Sequence, residues 1–280
     1  MSDYRYQNDT NKAGEVAFRQ MLAAEDKDHP DRLVHTMKER IEETIRVFKS
    51  LEQAYGLRIT KDTVFGELGA ERAQRMLALI DHYGLEKAYA FDISPDMLNL
   101  SKMISETFFK KSDGRGLPHE KLVLVAEDFL KVKERIHPAQ FDFVFCFATI
   151  HHFPDPRPVF QTVHSLLRDG GYFYFDREAL RSWLGLHEVA RFRGYFQHGS
   201  IIERKYGILE TQFSLKRWRE AIEIFDDWHV DLKYPVPGLY KLKMDFRSVA
   251  DSRVLSFAAQ LLGGRIFGLL RKKARLTDTR

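Results

Sequence analysis

Gly69, Asp92, Asp128 and the pair His151-His152 each close or follow a short apolar run: "TVFGEL", "AYAFDI", "KLVLVAED" and "FDFVFCFA" in turn. A glycine breaks the first run into a turn, and an acid about 20 residues later is placed to accept hydrogen bonds from ribose hydroxyls. Asp92 is that acid. A carboxylate one strand further on, Asp128, can accept from an adenine amino group. Together these residue types point to a nucleoside-bearing ligand lying across the ends of successive strands. Histidine is the side chain best suited to take a proton at neutral pH, so His151 and His152 are candidates for a base or for a residue that orients an acceptor. Adjacent side chains point in different directions, and His151 is expected to face the pocket ahead of His152. The plainer alternative, a helix-entry turn whose imidazoles cap backbone groups, stays open.

Positioning these residues requires strands that end together. The four runs alternate with helical patterns through Arg75 to Tyr83, from Pro95 to about Lys110, and through Val159 to Leu167, before a fifth run, "GGYFYFD". Strands separated by helices imply right-handed crossovers and an α/β, doubly wound, mostly parallel sheet of the seven-stranded type. Runs such as "LVLV" and "FVFCF" fit strands buried on both faces. Ahead of the sheet, residues 1 to about 28 are polar and aperiodic, which reads as a loosely ordered or surface-draped arm. Leu33, Met37, Ile41, Ile45, Phe48 and Leu51 then recur at three- and four-residue steps, predicting an amphipathic helix that ends near Gly56 and covers the core or a cleft. The chain thus divides into an arm and helical cover (1–58), a Rossmann-like core (59–180) and a substrate-shaping region with the final strands and a C-terminal amphipathic helix (181–280).

The ordered motifs resemble those of the class I S-adenosylmethionine-dependent methyltransferases. In place of the family's acid-x-Gly-x-Gly-x-Gly stand Glu67, Leu68, Gly69, Ala70, Glu71, Arg72 and Ala73; "AFDISPDML" resembles the second motif and "AEDFL" the third. The resemblance covers roughly Thr60 to Arg177. It implies S-adenosyl-L-methionine as cofactor, with Asp92 as the ribose acid, Asp128 at the adenine amine, Phe129 flanking the ring and Glu67 facing the methionine end. Gly69, Ala70, Glu71, Ile93, Met97 and Phe147 complete the implied cofactor set. Glu71 departs from the pattern: it must either turn outward or take over a contact, because a glycine there lets backbone approach the cofactor. An NAD(P) fingerprint is excluded, since from Gly69 the positions that need glycine hold Glu71 and Gln74. A carboxylate would also repel a pyrophosphate at that loop.

Methyl transfer requires in-line alignment of a nucleophile in a water-poor pocket, and the expected acceptor is small and polar, with oxygen favoured over nitrogen. Arg191, Arg193, Tyr195, His198, Arg204 and Tyr206 interleave charge with aromatic faces, which suits an anionic or sugar-like metabolite. Two rivals remain: a catalytically inactive methyltransferase-like binding or scaffold protein, and an enzyme using the same pocket for non-methylating chemistry. The net charge of +4 is mild, with the basic surplus in residues 181–280, and no nucleic-acid recognition module is visible. A metal site is not expected, because no ligand spacing supports one. The single cysteine, Cys146, reads as a buried thiol in a reducing compartment. With no secretory signal and no apolar run long enough to span a bilayer, a cytoplasmic location is expected. The stretch from Val254 to Arg275 carries apolar residues and a basic end, so peripheral membrane contact, core completion and a homodimer contact all stay open.

Overall fold

The computed structural model describes residues 2–28, 30–109, 118–183, 211–233 and 243–273, side chains within 2–11 and 27–36 excepted. Strands β1 (Phe65–Leu68), β2 (Ala88–Asp92), β3 (Leu122–Ala126), β4 (Phe141–Phe147) and β5 (Leu167–Leu180) form a parallel array. Beyond β5 the sheet turns antiparallel, taking in β8 (Gly264–Arg271), β6 (Asp227–Lys233) and β7 (Lys243–Asp245). The order is β3-β2-β1-β4-β5-β8-β6-β7. The α/β, mostly parallel architecture is as expected, with eight strands among the described residues and the three-residue β7 at one edge. Every residue of β1, β2 and β4 is buried, which is why these strands read as continuous apolar runs rather than as alternation.

Helices cover both faces. On one, α2 (Pro30–Tyr55) drives Phe48 into Phe65, Phe143 and Phe145, with ring centroids 5.1 to 5.6 Å apart, and α3 (Gln74–Tyr83) packs beside it through Met76, Leu77 and Ile80. On the other, Phe160 of α5 (Pro156–Leu166) and Trp218 of α6 (Leu215–Ile222) pack against Phe175, the Trp218 ring stacking on it at 5.6 Å and 5°. α4 (Pro95–Phe108) follows β2; Ser94 caps it by accepting from the Met97 amide, and Pro95 takes the first turn, where no amide partner is needed. Short helices α7 (Phe246–Asp251) and α8 (Arg253–Leu262) precede β8.

Two expectations are corrected. Residues 2–28 form a helix, α1 (Ser2–Asp28), and not a loose arm. Among its described side chains the apolar anchorage is chiefly Ala23 against Met97 and Leu100 of α4; ion pairs to the sheet's loops add to it, and hydrophobic periodicity carries no trace of them. The C-terminal stretch is likewise no single helix. It breaks at Gly263, where φ is 70°, and continues as β8 in the sheet interior. Gly268 is needed there, since a Cβ would lie 2.6 Å from the Val230 side chain and 2.8 Å from the His229 carbonyl on β6. Of α8's side chains, Val254 and Phe257 are exposed. No helix among the described residues is long and apolar enough to cross a membrane.

Candidate active site

The carboxyl ends of β1, β2, β3 and β4 open onto one cavity, walled by Gly69, Asp92, Ile93, Asp128, Phe129 and Phe147 among others. Side chains of α1 close its far side: Lys12, Glu15 and Arg19. A switch point of this kind, where neighbouring crossovers leave on opposite faces, is where an open α/β sheet holds its ligand.

At the end of β1 the chain turns at Gly69, with φ of 65°. Thr149, just beyond β4, lies so near that a Cβ on Gly69 would collide with its hydroxyl. The next two glycine positions of the motif are also left-handed, with φ of 51° at Glu71 and 55° at Ala73. The loop therefore keeps the conformation that favours glycine while carrying side chains that resist it. The Glu71 carboxylate accepts from Arg19 Nη1 of α1 at 2.7 Å and from Arg40 Nη1 of α2 at 2.6 Å. Burial alone would raise its pKa, but Arg19, Arg40, Arg75 and Arg72 together hold it well below the usual carboxylate range.

Asp92 ends β2 with its carboxylate fixed by two amides, Glu71 N on Oδ2 at 2.8 Å and Ser94 N on Oδ1 at 2.9 Å. Burial pushes its pKa up to about 6, against the opposing pull of Arg19 and the two amides. Asp128 begins a 3₁₀ turn, accepting from the Leu130 amide at 3.1 Å, and pairs through Oδ2 with Lys12 Nζ at 2.5 Å. Phe129 packs edge-on against Phe91, centroids 5.7 Å apart, and both rings reach the cavity. Two carboxylates at adjacent strand ends, with an aromatic face beside the second, match a ribose diol and an aminopurine. The donor set thus fits the cofactor that the sequence implies.

Three residues of the implied set do not reach the cavity wall. Glu67 is fully buried behind the loop, where Oε1 accepts from Arg75 Nη1 at 3.3 Å and Oε2 has no hydrogen-bond partner among the described residues. Burial pushes its pKa up to about 8, moderated by Arg75. The Arg75 guanidinium in turn covers the Phe147 ring at 4.8 Å. Ala70 is buried in the core under α3, and Met97 packs against α1.

His152 lines the cavity and His151 does not, the reverse of the order expected. The reason is Glu178, a buried carboxylate on β5. It accepts from the amides of Thr149, Ile150 and His151 at 2.7 to 3.1 Å, and it meets His151 Nδ1 at 3.0 Å. Burial raises its pKa, but His151 and these amides bring it below the ordinary value. His151 is thereby drawn toward β5, and the chain reversal turns His152 outward, its Nδ1 3.9 Å from Glu15 Oε2 and its ring 4.3 Å from that of His151. No group of metal-ligand side chains occurs among the described residues. Arg191, Arg193, Tyr195, His198, Arg204 and Tyr206 lie outside the described residues. Sequence reasoning missed Lys12, Glu15, Arg19, Thr149 and Glu178. All are distant in the chain from the motifs they serve, and their only signal is an isolated polar residue.

Residues 67–175 match the family model of a methyltransferase domain. No curated protein matches the chain. Among solved structures it is similar to a Haemonchus contortus phosphoethanolamine N-methyltransferase 2 bound to phosphomonomethylethanolamine and S-adenosylhomocysteine, at 16% identity and TM-score 0.55, covering 83% of this chain and 53% of that one. It is also similar to a geranyl diphosphate methyltransferase in complex with GPP and sinefungin, at 11% identity and TM-score 0.51, covering 77% and 73%. The chain thus spans about half the length of the Haemonchus enzyme, and at these identities the likeness is one of fold. Strand order, the cavity at the switch point and the matched segment agree: residues 67–175 are an S-adenosylmethionine-dependent methyltransferase domain of the class I, Rossmann-like type.

Proposed function

We propose that the whole protein transfers a methyl group from S-adenosylmethionine to a small polar acceptor, anionic or sugar-like, at oxygen. The observation that carries this reading is the placement of His152 on the same cavity as Asp92, Asp128 and Phe129. When bound, the cofactor supplies an electrophilic methyl carbon on a sulfonium. Asp92 accepts from the ribose hydroxyls, Asp128 from the adenine amine, and Phe129 covers the purine. His152 takes the proton of the acceptor hydroxyl as the oxygen attacks. His151 acts as a positioning residue, its ring held through Nδ1 by Glu178. Phe147, Phe153 and α1 keep water from the reacting groups. The protein is cytoplasmic in this reading, and α8, with Val254 and Phe257 exposed, is its surface for a second copy or an anionic membrane.

Calorimetry with S-adenosylmethionine and S-adenosylhomocysteine on the wild type and Asp92→Ala tests the cofactor assignment. Binding by the wild type and its loss in the variant are expected; a wild type that binds neither ligand would sink the proposal. A binding protein without catalysis is distinguished by ligand binding with no methyl transfer to any member of a panel of hydroxylated and anionic metabolites.

A further inference from the structure

We propose that Arg19 of α1 grips the α-carboxylate of the cofactor and that Glu71, the residue in the glycine position, is what positions it. This rests on the cofactor reading above. Strand order sets the direction in which the ligand lies. Asp128 ends β3 and Asp92 ends β2, so a ligand with adenine at the first and ribose at the second extends its remaining arm over β1, next in the sheet. That arm carries a carboxylate and must meet positive charge or free amide donors there.

The loop after β1 offers few such donors. Its amides are already engaged: Ala70 N donates to the Phe91 carbonyl at 3.0 Å, Glu71 N to Asp92 Oδ2 at 2.8 Å and Ala73 N to the Ala70 carbonyl at 2.7 Å. A concave row of backbone N–H groups, the usual anion cradle at such a turn, is therefore largely closed. Among the described residues, two side chains that are cationic at neutral pH line the cavity, Lys12 and Arg19. Lys12 is held by Asp128, at the purine end. Arg19 stands at the β1 end, its Nε on Glu15 at 2.7 Å and its Nη1 on Glu71 at 2.7 Å. Those two bonds use two of the five guanidinium N–H groups and fix the plane of the fork. No further hydrogen bond of Arg19 occurs among the described residues.

The substitution at position 71 then has a purpose. Any side chain on a left-handed residue carries a conformational penalty, which Glu71 bears at φ of 51°. In exchange Glu71 draws a guanidinium from α1 to the place where the loop's own amides have been withdrawn. Glu71 itself borders the cavity, and Arg40 bonds its other oxygen, so its negative charge is shared between two guanidinium groups.

The test compares S-adenosylhomocysteine with 5′-methylthioadenosine, the same thioether nucleoside without its amino-acid tail, by calorimetry. Wild type is expected to prefer the former. Arg19→Gln should weaken S-adenosylhomocysteine about 10- to 100-fold, the range of a hydrogen bond to a charged group, and leave methylthioadenosine within about threefold. Glu71→Gln should erode the same preference by about 3- to 10-fold. If Arg19→Gln unfolds, Arg19→Lys serves instead and should keep part of the preference. Equal weakening of both ligands, no weakening of S-adenosylhomocysteine, or a wild type without preference overturns the assignment alone. A wild type that binds neither ligand overturns the cofactor reading and this assignment with it.

Discussion

Glu67 offers a sharp test of the buried electrostatics beneath the site. Its carboxyl is fully buried, with one oxygen 3.3 Å from Arg75 and the other without a hydrogen-bond partner among the described residues, and burial raises its pKa from 4.5 to about 8. A folded-state value above the unfolded one means that the native state holds the proton more tightly. The stability this contributes is complete below pH 4.5 and is lost as pH climbs to about 8. At about 1.4 kcal/mol per pH unit, that interval amounts to a ceiling of about 5 kcal/mol; relaxation around the carboxylate trims it to about 2–4 kcal/mol. Glu67→Gln imitates the protonated form. Urea unfolding at pH 5, 6, 7 and 8 should therefore show the variant matching wild type within about 1 kcal/mol at pH 5 and exceeding it by about 2–4 kcal/mol at pH 8. If Glu67 is instead an ionised partner of Arg75, the substitution leaves a buried cation unmatched and costs about 3–5 kcal/mol at every pH. Parallel pH profiles with the variant less stable throughout would refute the reasoning.

Other substitutions probe the remaining supports. Glu178→Gln leaves three amides and His151 Nδ1 sharing a single carbonyl acceptor, and it should lower stability by about 2–4 kcal/mol in urea titration. In methyl-transfer assays the same variant should lose kcat more than it gains KM, because His152 sits one residue from the anchored ring; an unchanged kcat would disconnect Glu178 from the reaction. Ala139 is exposed with φ of 56°, so Ala139→Gly should gain about 0.5–1 kcal/mol, seen as a raised urea midpoint. Phe48→Ala removes the ring around which α2 packs on β1 and β4, and a loss of about 3–5 kcal/mol is expected; under 1 kcal/mol would mean that α2 contributes little to the core.

What could be read from the chain alone follows from local physics. Continuous apolar runs mark strands buried on both faces, and the acid spacing after Gly69 places Asp92 and Asp128 at strand ends; Phe129 and Phe147 are legible only through the family resemblance, and all four line the cavity. α2 announced itself through the period of its buried face, Met37, Phe48 and Leu51. The break of the C-terminal stretch at Gly263 was hidden because Ile266, Leu269 and Leu270 suit a helix and a buried strand equally well; only pairing with β5 and β6 chose the strand. α1 was hidden for a different reason. Its attachment is electrostatic, through Lys12 to Asp128, Arg19 to Glu71 and Arg72 to Asp26, and charged pairs far apart in the chain leave no periodic trace. The same holds for the histidines: their place after β4 was legible, whereas the choice between them depended on Glu178, brought from β5. The glycine motif shows both sides at once. The chain alone shows that Glu71 breaks the pattern. The direction of its carboxylate was decided by two helices folded back over the loop, because a charge that leaves water takes the partner that tertiary structure brings within reach.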